Sequence, residues 1–166
     1  MNFKIDSSAA LPKTLRSKHR IRFQDCDPFN HLNNGRYMDY FMNAREDQLE
    51  KAYHFPIYQY AKETGKSWVV AENRIRYIKP ALLMEEVFID TQLIAFSDHD
   101  LQVEMRMLDS TKEALKAIAW CTFIHFDMRS QKKSVHEENL IHLFTNVHNP
   151  IETVDFQERI SGFIRF

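Results

Sequence analysis

Asp25, Asp27, His31, Asn33, Asn34 and Tyr37 fall in one short run, Asp-Cys-Asp-Pro-Phe-Asn-His-Leu-Asn-Asn-Gly-Arg-Tyr, which crowds two acids, an imidazole and two adjacent amides into a turn. Pro28 pushes the residue before it out of helical space, so Asp27 is expected to be extended, its carboxylate aimed over whatever follows. Asn33 or Asn34 is a good N-cap for a helix beginning there. The first-turn N–H groups past such a cap have no acceptor within the helix and sit at its positive end. A carboxylate facing a carbonyl carbon, with N–H donors on the carbonyl oxygen, is the minimum equipment for acyl transfer. A thioester suits a lone acid better than an amide does, because thiolate leaves without a strong general acid. The same composition also describes a loop whose short polar side chains cap a helix and satisfy turn amides. On that reading His31 is an ordinary loop histidine and Tyr37 a core residue.

Either reading needs a strand entering the turn and a helix leaving it. Arg20-Ile21-Arg22-Phe23-Gln24 alternates with the period of a half-buried strand, expected over residues 18–25. Met38, Phe41, Met42, Arg45, Leu49, Ala52 and Tyr53 recur at helical spacing and predict a helix from about Gly35 to Tyr53, its apolar members on one side. His54-Phe55-Pro56 breaks it, and a short helix over Ile57–Thr64 stops at Gly65. Strands are expected at Ser67–Lys79, Val87–Phe96, from Leu101 to Met107 and over Leu115–Phe126, separated in the last two cases by polar hairpin turns at residues 97–100 and 109–112. Read as four consecutive antiparallel strands, they give an α+β domain in which a sheet curls round one long apolar helix. Residues 134–166 hold an amphipathic stretch from Glu137 to Phe144 and an aromatic tail, Phe156, Phe163 and Phe166, that pattern alone does not place.

Composition narrows the function. With 166 residues and 13 Phe, the chain can bury one sizeable core, so a single domain over 1–166 is expected. Its 22 basic residues against 23 acidic ones create no field for nucleic acid, and no 18-residue apolar run suggests a membrane span. The N-terminal stretch has no apolar core of a secretory leader. Cys26 and Cys121 stand far apart in sequence, as reduced cytoplasmic thiols would. Cys26 is a poor nucleophile, since the neighbouring Asp27 carboxylate disfavours its thiolate. The eight His form no metal-ligand spacing and the three Gly no phosphate loop, so neither a metal nor any other cofactor is expected.

The run from Asp25 to Tyr37 resembles the signature loop of hotdog-fold acyl-CoA thioesterases of the 4-hydroxybenzoyl-CoA thioesterase type. The likeness extends over about residues 18–127, through Ile75-Arg76-Tyr77-Ile78-Lys79-Pro80-Ala81 and the acidic start of the next strand at Glu85-Glu86-Val87. It implies an antiparallel five-stranded sheet wrapped round a central helix, with Asp27 as catalytic nucleophile or general base. The Asn34 and Gly35 amides would polarise the carbonyl, while His31 and Asn33 shape the loop or position water. Tyr37 and Glu72 are supporting residues, with Glu72 or Asn73 reaching towards Asp27 across a dimer seam. His-x-Asn-Asn places the chain with members acting on aliphatic acyl groups. The resemblance further implies a homodimer or tetramer and an acyl-CoA substrate. Alternatives within the fold are an acyl carrier protein substrate met by the Arg74, Arg76 and Lys79 row, a non-catalytic acyl-CoA binding protein, and a dehydratase, which needs a helix histidine this chain lacks.

Overall fold

The computed structural model describes residues 10–164; Phe166 of the aromatic tail and the first nine residues lie outside them. The first strand, β1, spans Thr14–Arg20, earlier than its pattern suggested. It directs Leu15, Ser17 and His19 inward, and two polar residues at inward positions hide the alternation. Ser17 is tolerated there because Gln48 Nε2 of the helix donates to its Oγ at 2.7 Å. The expected strand end instead folds into a 3-10 turn at Phe23–Asp25, after Ile21 N–H donates to Glu85 O at 2.9 Å.

The long helix α1 spans Tyr37–Tyr53 behind a 3-10 turn at Asn34–Arg36. It buries Tyr37, Phe41, Ala44, Gln48 and Tyr53 against the sheet, and His54 ends it in the left-handed region. Helix α2, Ile57–Thr64, stops at Gly65 as expected: the φ of 74° favours glycine, and an added Cβ would lie 2.6 Å from Arg129 Nε.

Strands β2 (Lys66–Tyr77), β3 (Glu86–Phe96), β4 (Asp100–Leu108) and β5 (Leu115–Asp127) follow, with a two-residue β6 at Lys132–Lys133 on β5. The order is β1-β3-β4-β5-β2, so the expected four-strand meander is three strands long and β2 pairs with β5, not with β3. Residues 78–85 cross the end of the sheet to make this possible. They bond in turn to Lys116 O, to Leu32 and to Ile21, so the connection is fixed by main-chain hydrogen bonds rather than by a hairpin. A register shift between Val70 and Glu72 inserts one residue in β2, so Trp68 and then Ile75 and Tyr77 all face the helix side.

The C-terminal region takes two places. Helix α3, Glu138–Val147, sends Leu140, Leu143, Phe144 and Val147 into the core shared with α1. Helix α4, Phe156–Ser161, covers the opposite face of the sheet with Ile160, beside Leu108, Leu115 and Ile118. There Arg159 donates to both Glu104 oxygens at 2.8 Å and Trp120 Nε1 adds a third bond at 2.9 Å. Burial works against the Glu104 carboxylate, but these donors and Arg106 hold its pKa below the ordinary value. A charged residue in mid-strand thus reads as polar surface, although the tail makes it interior.

Candidate active site

The turn after β1 closes on itself through Asp27. Its N–H donates to His31 O at 2.8 Å, and its Oδ1 accepts from Phe29 N–H at 2.9 Å and from His31 N–H at 3.1 Å. Asn30 takes a φ of 61° to complete the reversal, a conformation its short side chain tolerates. Leu32 N–H donates to Ala81 O at 2.8 Å and Leu83 N–H to Asn30 O at 2.9 Å, which anchors the turn to the crossing segment. The carboxylate is therefore held by its own loop through one oxygen. Oδ2 carries no hydrogen bond among the described residues.

Asn33 is the cap. Its Oδ1 accepts from Gly35 N–H at 2.9 Å, so that amide, expected to polarise a carbonyl, is already committed. The Asn34 amide N–H has no acceptor among the described residues. The Asn34 carbonyl is fixed from the other side, where Tyr77 OH at the end of β2 donates to it at 2.9 Å. Tyr77 also meets Tyr37 edge-on, ring centroids 5.1 Å apart, and the buried Tyr37 hydroxyl accepts from Ala81 N–H at 3.1 Å. Burial, first of several causes, raises the Tyr37 pKa. It acts as a neutral acceptor.

Asp27, His31, Asn34, Tyr37, Tyr77 and Lys79 line one cleft of about 340 Å³. The structure thus brings together four of the residues singled out from sequence. Asn33 and Gly35 stand beside the cleft as cap and capped amide. Glu72 does not join them within the chain: it lies exposed on the β2 edge strand, paired with Arg74. Asp25 is also engaged elsewhere, its Oδ2 accepting from Tyr40 OH at 2.8 Å. Burial, with Asp27 and Asp25 adding to it, raises the Cys26 thiol pKa, which makes it a poor thiolate. Tyr77 has no role assigned by the sequence motif; its signal is a tyrosine three residues before Pro80.

A second recess lies further along α1. It is a largely apolar cavity of about 370 Å³ between α1, α2, β2, β4, β5 and α3, lined by Leu49, Trp68, Val103, Phe123, Leu143 and Phe144 among others. Trp68 closes its end by donating to His136 Nε2 at 3.0 Å. His136 stacks on His125 at 4.9 Å, and burial lowers the pKa of both rings. Among the described residues no helix is long and apolar enough to cross a membrane.

A family model described as the thioesterase-like superfamily matches residues 21–160. The long-chain acyl-CoA thioesterase FadM of Escherichia coli strain K12 is 26% identical over 126 residues, 76% of this chain and 93% of that protein. Among solved structures, a probable thioesterase from Escherichia coli superposes with a TM-score of 0.69 at 24% identity, covering 81% of this chain and 99% of its own. A Staphylococcus aureus protein solved in complex with CoA gives 0.76 at 10% identity, covering 92% of this chain and 96% of its own. These two share the fold.

Proposed function

We propose, on the premise that the chain belongs to the thioesterase-like superfamily, that it hydrolyses acyl-CoA thioesters at the Asp27 cleft, in the manner of the 4-hydroxybenzoyl-CoA type. The observation that carries the proposal is the convergence of Asp27, His31 and the Asn34 helix start on one recess with Tyr77 and Tyr37 as its wall. A thioester carbonyl placed there presents its oxygen to the Asn34 N–H. Asp27 Oδ2 faces the carbon, either deprotonating water or attacking directly, and Oδ1 stays in the loop to fix its orientation. The C–S bond then breaks, and CoA thiolate departs and takes the proton that Asp27 drew from the water. In the direct route the thiolate leaves first, and a single water then opens the acyl-aspartate and supplies that proton. His31 positions that water, Asn33 holds the helix start, and Gly35 serves through the cap rather than as a second donor. No cofactor takes part.

The acyl group, aliphatic by the same resemblance, runs from the cleft towards the apolar cavity. Its lining explains how long chains of the kind named for the FadM relative would be held. Assembly follows from β2, whose residues Val69 to Arg74 are exposed at an open sheet edge, with Val69 43% and Val70 47% exposed. Such an edge pairs readily with a second copy, giving a homodimer whose seam borders both recesses. Glu72 would then serve the partner's cleft. Light scattering of the active protein at micromolar concentration should give a dimer or a dimer of dimers; an active monomer removes the shared seam.

Release of CoA thiol from acyl-CoAs tests the assignment. Asp27→Asn should keep the fold and lose at least about a hundredfold in kcat/KM, as for loss of a positioned base or nucleophile. Wild-type protein that binds acyl-CoA without releasing thiol would instead identify a binding protein.

A further inference from the structure

Arg45 sits on the apolar stripe of α1, between Phe41 and Leu49, and lines the apolar cavity. The buried and half-buried cations Arg106, Lys116, Arg159 and Lys66 each have an acid: Asp90, Glu85, Glu104 and Glu137 in turn. Arg45 has none among the described residues. Its one hydrogen bond runs from Nη1 to Thr91 Oγ1 at 3.0 Å. The nearby rim acid Glu46 is occupied, both oxygens accepting from Tyr58 OH at 2.8 and 2.7 Å. Burial pushes the Arg45 pKa down to about 10, so the group remains a cation at neutral pH.

The side chain is held in place. Thr91 Oγ1 donates to Gln48 Oε1 at 2.5 Å and so can only accept from Arg45, while Gln48 is tied to Ser17 and to Ile89 O. One of the five guanidinium donors is thus used, and the rest of the fork is available to the cavity. An aliphatic chain filling the space would expel water and leave that charge with the Thr91 hydroxyl as its acceptor and no counter-charge, a costly burial. A carboxylate matches the fork with two parallel hydrogen bonds.

We propose that Arg45 reads the far end of the acyl group, and that the cavity takes a long chain terminating in a carboxylate, an ω-carboxyacyl thioester. This rests on the cleft at Asp27 being the thioester end. The two sites are about 18 Å apart along the helix start and axis, which sets the chain as a long one. The apolar side chains of the cavity fit the methylene segment, and Arg45 fits its end.

Binding of two non-hydrolysable CoA thioethers of equal chain length, one ending in methyl and the other in carboxylate, tests this by calorimetry. Wild type should bind the carboxylate form at least about tenfold more tightly. Arg45→Met should reverse the order. Should that variant fail to give a native circular dichroism spectrum, Arg45→Gln, which is shorter and keeps an N–H donor but not the charge, should abolish the preference. Equal or tighter binding of the methyl form by wild type, binding of neither form, or an unchanged preference in the variants overturns the proposal. Thiol release from ordinary acyl-CoA is measured alongside: its absence counts against the Asp27 reaction, whereas the thioether preference judges Arg45 alone.

Discussion

The recess at the start of α1 and the one along its middle share a helix but are held by different forces. Around Asp27, a single loop fixes its side chains through main-chain hydrogen bonds to itself and to residues 81–83. Around Arg45, six elements meet, and the walls are apolar side chains from residues as far apart as Met42 and Phe144. The first arrangement places the Asp27 carboxylate by backbone geometry, which is insensitive to most side-chain changes. The second sets a volume, which any one wall residue alters. Under the proposed function, reaction and selection would be separated along one helix, and substitutions should sort accordingly.

The sharpest break between the regions is at the acids. Asp27→Asn should cost at least about a hundredfold, whereas Asp25→Asn, whose carboxylate meets Tyr40 outside the cleft, should cost much less in the same thiol-release assay. If both variants hydrolyse at the wild-type rate, the reacting end is misassigned. Smaller and restricted to long chains is the effect of Leu143→Trp, which fills the cavity from α3. It should cut kcat/KM for long acyl-CoAs by roughly tenfold and leave short ones near wild type. A uniform loss across chain lengths would mean the cavity does not hold the acyl group.

Smallest is the response to acid, to which the cavity end contributes through His125 and His136, and β1 through His19, whose pKa burial also lowers. Because burial depresses the folded-state pKa of His125 and His136, the unfolded chain binds protons first as pH falls below about 6.5. Their contribution to stability is whole above that pH and declines below it until the folded rings also protonate. Glu137 acts in a separate window: burial opposes its charge, but Lys66 and Tyr60 hold its pKa low, so its contribution is lost only under more acid conditions. Urea unfolding followed by Trp fluorescence should show a lower midpoint at pH 5.5 than at pH 7.5, with a smaller difference in His125→Phe. Equal midpoints in wild type would place no cost on these buried rings.

How much of this could be read from sequence follows the same division. The cleft was legible because its groups lie within a few residues of each other, in chemical types with strong local rules: proline after Asp27, an asparagine cap, apolar residues at helical spacing. Even so, local rules did not tell that Gly35 N–H would be taken by Asn33, since a cap and an oxyanion donor draw on the same amides. The curled sheet was legible from the succession of strands after one long apolar helix, but β2 was placed beside β3, because strand period does not reveal that residues 78–85 cross the sheet end. The starting strand was displaced because Ser17 and His19 point inward, where they bond to each other and Ser17 also accepts from Gln48, far off in sequence. The tail was unreadable for a related reason: α4 needs the Glu104 charge that it covers, and that pairing spans 55 residues. Arg45 lies in the apolar stripe of the sequence, but only the three-dimensional arrangement shows that it has no acid among the described residues.

The separation of reaction from selection is tested most directly by kcat/KM against acyl chain length, measured for wild type and Asp27→Asn with enough enzyme to quantify the residual rate. The account predicts one curve displaced downward by at least about a hundredfold at every length, its optimum unchanged. A variant whose optimum moves, or whose loss is confined to some chain lengths, would contradict it by showing that Asp27 takes part in choosing the acyl chain.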